Sequence, residues 1–148
     1  MLQAFTLTLT LAASTPIFLF LSVLFPEAKV FLIVFWMFTL VFDLRATYVF
    51  YLRTPSQFGK GEQNKMFAFL VGNLGFKKAS IAFTFLVEVP IIFLFALLLL
   101  QTVYVYLFDK AVADLSDCLA AGFGMTALGH FQAALRNFAT AKMKVVSN

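Results

Sequence analysis

Apolar residues fill this chain in four long blocks, at about residues 2–25, 29–52, 80–108 and 118–141, separated by short polar breaks. A transmembrane helix needs about 20 consecutive apolar residues, so each block is long enough to cross a bilayer. The break after the second block is the longest: polarity rises from Arg53 to Lys65, and a shorter apolar segment follows at about 64–76. That segment is interrupted by Gly72, Asn73 and Gly75 and is too short to cross, which predicts an interfacial or re-entrant helix between the second and third spans. The predicted fold is all-α: an integral membrane four-helix bundle forming a single transmembrane domain over residues 1–148. Within the first span Pro16 predicts a kink, and Thr6, Thr8, Thr10, Ser14 and Thr15 can bond back to their own helix carbonyls. No Lys or Arg precedes that apolar run, which argues against a secretory leader.

Composition agrees with the pattern. Hydrophobic residues make up 62% and charged residues 12% of the chain, and the mean hydropathy is +0.94, whereas a soluble domain carries about a quarter charged residues. Most of the 21 Phe lie in the apolar blocks, where they suit lipid contact and interhelical packing.

The net charge of +4 follows from an asymmetry along the chain. Arg53, Lys60, Lys65, Lys77 and Lys78 cluster between the second and third spans, and Lys142 and Lys144 follow the fourth, while the other two connections hold only Lys29 and Lys110. Basic loops stay in the cytoplasm, so the expectation is a multi-pass cell-membrane protein with both termini cytoplasmic. Its partners would then be membrane lipids, anionic ones at the inner face, with no need for nucleic acid.

Candidate chemistry comes from three ionisable residues inside the apolar blocks. Asp43, Glu88 and His130 stand on different spans at about 14, 12 and 16 Å from the inner ends, at 1.5 Å per residue. Charges in hydrocarbon are costly and turn toward a protein interior or a hydrated cavity, so one shared depth predicts one shared polar site. Trp36, Thr39, Asp43 and Thr47 follow i, i+3, i+7, i+11 spacing and share a helix face. Thr126, His130 and Asn137 form a similar stripe, and Thr84 stands one turn before Glu88. The predicted ligand-binding residues are therefore Asp43, Thr47, Glu88, His130 and Asn137, with His130 the natural group to change charge near neutral pH. Arg45 lies about 200° around the helix from Asp43 and needs another partner or the surface. Arg136 is expected to meet Glu62 or Asp43. Pro90 removes the hydrogen bond to the Leu86 carbonyl and predicts a bend beside Glu88.

Two carboxylates and one imidazole suit a divalent ion, so Asp43, Glu88 and His130 are also candidate metal ligands. With one His, no HExxH and a single cysteine, Cys118, no metal or cofactor is specified. The bland alternative is that these groups only hydrogen-bond between helices. Gly122, Gly124 and Gly129 with Ala120, Ala121 and Ala133 give small-xxx-small spacings that favour close helix contact in the fourth span, within the chain or between chains.

Asp43 to Thr47 reads D-x-x-x-T, Gly61 to Asn64 reads G-E-x-N at the next segment, and Lys77 and Lys78 stand at the foot of the third span. This pattern, over residues about 36–90, resembles a family of small, uncharacterised, mainly archaeal and bacterial membrane proteins with Asp and Thr in one helix, then Glu-x-Asn-Pro, then Lys. Lys65 stands where that family has Pro. The resemblance implies that Asp43, Thr47, Glu62, Asn64 and Lys78 act together; as an N-cap for the following segment, Asn64 also has a purely structural role.

These features lead to a non-enzymatic membrane protein with an intramembrane polar site for a proton, cation or small polar ligand. The alternatives are an accessory subunit of a larger membrane complex and a metal-dependent intramembrane enzyme.

Overall fold

A computed structural model of the chain describes residues 2–53, 58, 64–106 and 113–146, with side-chain surroundings for 13–53, 58, 64–103 and 113–139. The described residues are helical almost throughout. Helix α1 spans Leu2–Leu24 and α2 spans Pro26–Arg53, with Phe25 alone between them. Proline at the first position of α2 removes an N–H that would have no helical partner, so the chain turns there at little cost. Helix α3 (Lys65–Leu74) is followed by α4 (Phe76–Phe83), a π-helical segment (Thr84–Glu88) and α5 (Val89–Tyr106), and α6 (Leu115–Val146) completes the fold.

Three helical stretches are long and apolar enough to cross a membrane: Pro26–Arg53, Phe76–Val103 and Leu115–Ala139. The third block thus becomes helical at Phe76 instead of Ser80, and the fourth runs from Leu115 to Val146 instead of from Cys118 to Ala141. Both shifts have local causes. Gly75 takes φ 73°, which breaks the backbone after α3 and lets a new helix start at once. Asp114 and Asp117 cap α6 reciprocally: the Asp117 N–H donates to Asp114 Oδ1 (2.9 Å) and the Asp114 N–H to Asp117 Oδ2 (2.9 Å). The Ser116 hydroxyl (2.6 Å) and then the Asp117 N–H hold the Asp114 carboxyl down from its usual 3.8 to about 2. Lys29 of α2 joins this end, with Nζ 2.8 Å from Asp117 Oδ1.

The α3 segment sits where the sequence places a short helix. Asn64 caps it, its Oδ1 accepting from the Phe67 N–H at 3.0 Å. Phe67 and Val71 bury one face against Phe50, Phe58 and Ala79, with Tyr51 and Phe76 at the edge. Rings meet edge-on there, Phe67 with Phe76 and Phe83 at 5.7 and 5.5 Å between centroids.

Helix α6 packs against α1, α2 and α5, most extensively against α2. Its small residues make this possible. A Cβ on Gly122 would stand 3.1 Å from Ile92 of α5, and one on Gly124 would stand 2.9 Å from Leu32 of α2 and 3.0 Å from Phe18 of α1. A second cluster of Trp36, Ile92 and Ala127 lies between the helices, with Trp36 stacked obliquely on Phe123. The opposite faces are apolar and open: Phe38 is 67%, Phe85 66% and Leu86 76% exposed. Apolar faces left open in this way mark membrane or protein contact sites.

Candidate functional site

The π-helical segment decides where Glu88 points. Pro90 has no N–H for the Leu86 carbonyl, and the helix widens just before it, the Val89 N–H bonding to Thr84 O five residues back. The disturbance expected from Pro90 coincides with this wide turn, in which Thr84 and Glu88 are buried while Phe85, Leu86 and Pro90 are exposed.

Inside, Asp43 of α2, Glu88 of the π segment and His130 of α6 meet. His130 Nδ1 is 2.9 Å from Asp43 Oδ2, and its Nε2 is 2.6 Å from Glu88 Oε1. The same Glu88 oxygen accepts from the Trp36 indole N–H at 2.8 Å. Beyond Asp43 the chain of bonds continues: the Thr47 hydroxyl donates to Asp43 Oδ1 (3.4 Å) and accepts from Asn137 Nδ2 (2.8 Å). Five side chains from three helical stretches, with Trp36 as a sixth, form one unbroken hydrogen-bonded line. Glu88 Oε2 is buried with no hydrogen-bond partner among the described residues.

This arrangement fixes a proton count. An imidazole with a carboxylate oxygen at each nitrogen needs a proton in both gaps. An imidazolium between two carboxylates supplies them, as does a neutral imidazole beside one protonated carboxylic acid; the two forms differ only in which atom owns a proton. The triad so filled carries one net negative charge.

A cavity of about 270 Å³ adjoins the line, with Asp43, Thr47, Thr84, Glu88, His130 and Asn137 among its polar walls and Leu40, Leu44, Phe67, Phe83 and Ala133 among its apolar ones. Asn64 and Arg136 line it too. Asn64 is exposed, so the cavity reaches the surface at the start of α3.

All five sequence-predicted binding residues line this cavity. Of the supporting ones, Asn64 and Arg136 line it, whereas Arg45 and Lys78 are exposed and outside its walls. Arg45 lies on the far side of α2, as its spacing from Asp43 requires. Glu62, one proposed partner of Arg136, lies outside the described residues; the other, Asp43, gives its oxygens to His130 and Thr47. Of Asp43, Glu88 and His130, also candidate metal ligands, the imidazole lies between the carboxylates, and no group of three His, Cys, Asp or Glu placed to hold a metal ion occurs among the described residues. Thr126 spends its hydroxyl on the Gly122 carbonyl and stays out of the line.

Sequence reasoning missed the bond from Trp36 to Glu88. Trp36 already shared the Asp43 face, and a buried indole N–H calls for an acceptor, so the signal was present. Comparison with protein-family models, with curated proteins and with solved structures found no match. The functional reading therefore rests on geometry.

Proposed function

We propose that the protein is a four-span membrane bundle, with α1 as the fourth span, whose Asp43–His130–Glu88 relay holds and passes a proton beside a cavity for a cation or small polar ligand. The observation that carries this reading is His130 with each ring nitrogen on a carboxylate from a different helix. An imidazole so placed can accept a proton at one nitrogen and release one from the other, which is how histidine shuttles protons. Buried polar groups that serve only to join helices have no need of a cavity at their side.

The exposed apolar faces of α2, α5 and the π segment suit lipid, and the basic residues suit a cytoplasmic placement of Asn64, of the cavity mouth and of both termini. Common lining of one cavity by Asp43, Thr47 and Asn64 supports the idea, drawn from the D-x-x-x-T and G-E-x-N resemblance, that these residues act together.

The test is proton uptake into vesicles holding the purified protein and a pH-sensitive dye, driven by a potassium diffusion potential. The wild type is expected to exceed protein-free vesicles, and Asp43→Asn to lower the excess by about tenfold or more, since general acid–base groups contribute 10²–10⁴-fold to proton transfer. An Asp43→Asn protein as active as the wild type overturns the reading.

A further inference from the structure

The relay has a second side. A cavity of about 310 Å³ lies between the Phe76–Val103 stretch and α6, walled by Phe83, Val87, Ile91, Ile92, Phe95 and Met125, with Glu88 and His130 its only ionisable residues among the described ones. Those two residues are shared with the polar cavity, so the relay is the partition between a polar chamber and an apolar one.

Close packing does not explain the empty space. Gly122 is a contact glycine, but a Cβ on Gly129 would meet nothing within 4 Å. Both line the apolar cavity, and at Gly129 the missing side chain leaves room instead of admitting a helix. Ile91, on the cavity wall, is 59% exposed, and its outward neighbour Leu94 is also 59% exposed. The mouth thus opens through a surface that suits lipid, and an occupant would come from the bilayer.

We infer that this cavity binds a single-chain lipid alcohol, its hydroxyl donating to Glu88 Oε2 and its chain lying along Phe83, Val87, Ile91 and Phe95. The inference deepens the relay reading by giving Glu88 a ligand on its far side. A buried carboxylate oxygen without a partner costs free energy that a donor recovers. The terminal carboxylate torsion is broad, so a small turn, which swings both oxygens about one bond, brings the buried Oε2 to the cavity wall and slightly lengthens the Oε1 bonds to His130 and Trp36. Head-group chemistry narrows the choice. An ammonium would bring a full charge into a wall that is mostly hydrocarbon, and burying a charge costs far more than burying a hydroxyl. A carboxylate would face Glu88 and Asp43 with like charge. A hydroxyl needs one acceptor and adds no charge. The volume falls at the small end of ligand pockets, about 300–1,000 Å³, which suits one slender chain.

Trp36 is the only tryptophan and touches Glu88 directly, so its fluorescence reports on the head-group position. The protein in phosphatidylcholine nanodiscs is titrated with 2-bromododecan-1-ol, whose bromine quenches nearby indole, and with the matching methyl ether, 2-bromo-1-methoxydodecane, which lacks the donor. The alcohol is expected to quench saturably at about fivefold lower mole fraction than the ether, the worth of one hydrogen bond. Gly129→Leu, which fills the apolar cavity and lies outside the polar one, should bring the alcohol to the level of the ether. Equal quenching by alcohol and ether in the wild type overturns the inference and leaves only nonspecific chain occupancy; so does Gly129→Leu that quenches like the wild type. Vesicle proton uptake reads the relay separately: failed alcohol binding with intact uptake sinks the lipid site alone, and uptake unaffected by Asp43→Asn sinks the relay alone.

Discussion

His130 is the residue on which the interior depends. Its ring satisfies two carboxylates that hydrocarbon would otherwise penalise, and Trp36 adds a third donor at the same point. Removing one partner from a buried charged pair leaves the others uncompensated, at a cost of about 3–5 kcal/mol. His130→Phe should therefore destabilise the fold by on the order of 3 kcal/mol, measured by unfolding in mixed micelles with increasing dodecyl sulfate. Adding Asp43→Leu and Glu88→Leu to that background should recover most of the loss, because apolar replacement of a whole buried ionic group is often neutral. A His130→Phe protein as stable as the wild type would mean that the carboxylates find other partners. At this scale the sequence was partly legible. The polar stripe of Trp36, Thr39, Asp43 and Thr47 follows from helical spacing, but which nitrogen meets which oxygen depends on side-chain torsions that spacing leaves open.

Elements show where local chemistry overrode the apolar pattern. Block lengths located the helices, but the boundaries moved: a positive φ at Gly75 starts the Phe76–Val103 stretch early, and the paired Asp114 and Asp117 cap starts α6 three residues before Cys118. Pro90 was legible as a disturbance, though not as a π-helical turn, because which upstream groups re-pair around a proline depends on the packing of the surrounding side chains. The cap makes a pH prediction. Asp114 titrates at about 2 in the folded chain against 3.8 in its absence. A lowered carboxyl contributes stability that is complete above about pH 4 and disappears as pH falls toward about 2. Acidification through that window should lower the protection factor of the Asp117 amide at the start of α6, its exchange rate being divided into the intrinsic rate at each pH, and Asp114→Asn should remove the pH step. A protection factor that stays flat from pH 5 to pH 2 in the wild type would refute the cap's role.

At the scale of the whole molecule, the described helices carry Phe, Leu and Ile on their open faces and hold Asp, Glu, His, Thr and Asn in one internal line between apolar clusters. The meeting of Asp43, Glu88 and His130 was legible because helix rise is constant; the two cavities were not, because the space left between packed side chains depends on packing that spacing leaves open. The arrangement makes His130 a partition with a polar chamber on one side and an apolar one on the other. As the only histidine it can be observed without assignment ambiguity. The decisive measurement is solid-state ¹⁵N NMR of histidine-labelled protein in lipid vesicles. Both ring nitrogens should show the shifts of hydrogen-bonded sites, with Asp43→Asn perturbing chiefly Nδ1 and Glu88→Gln chiefly Nε2. A ring nitrogen with the shift of free, unprotonated imidazole, indifferent to both substitutions, would contradict the relay.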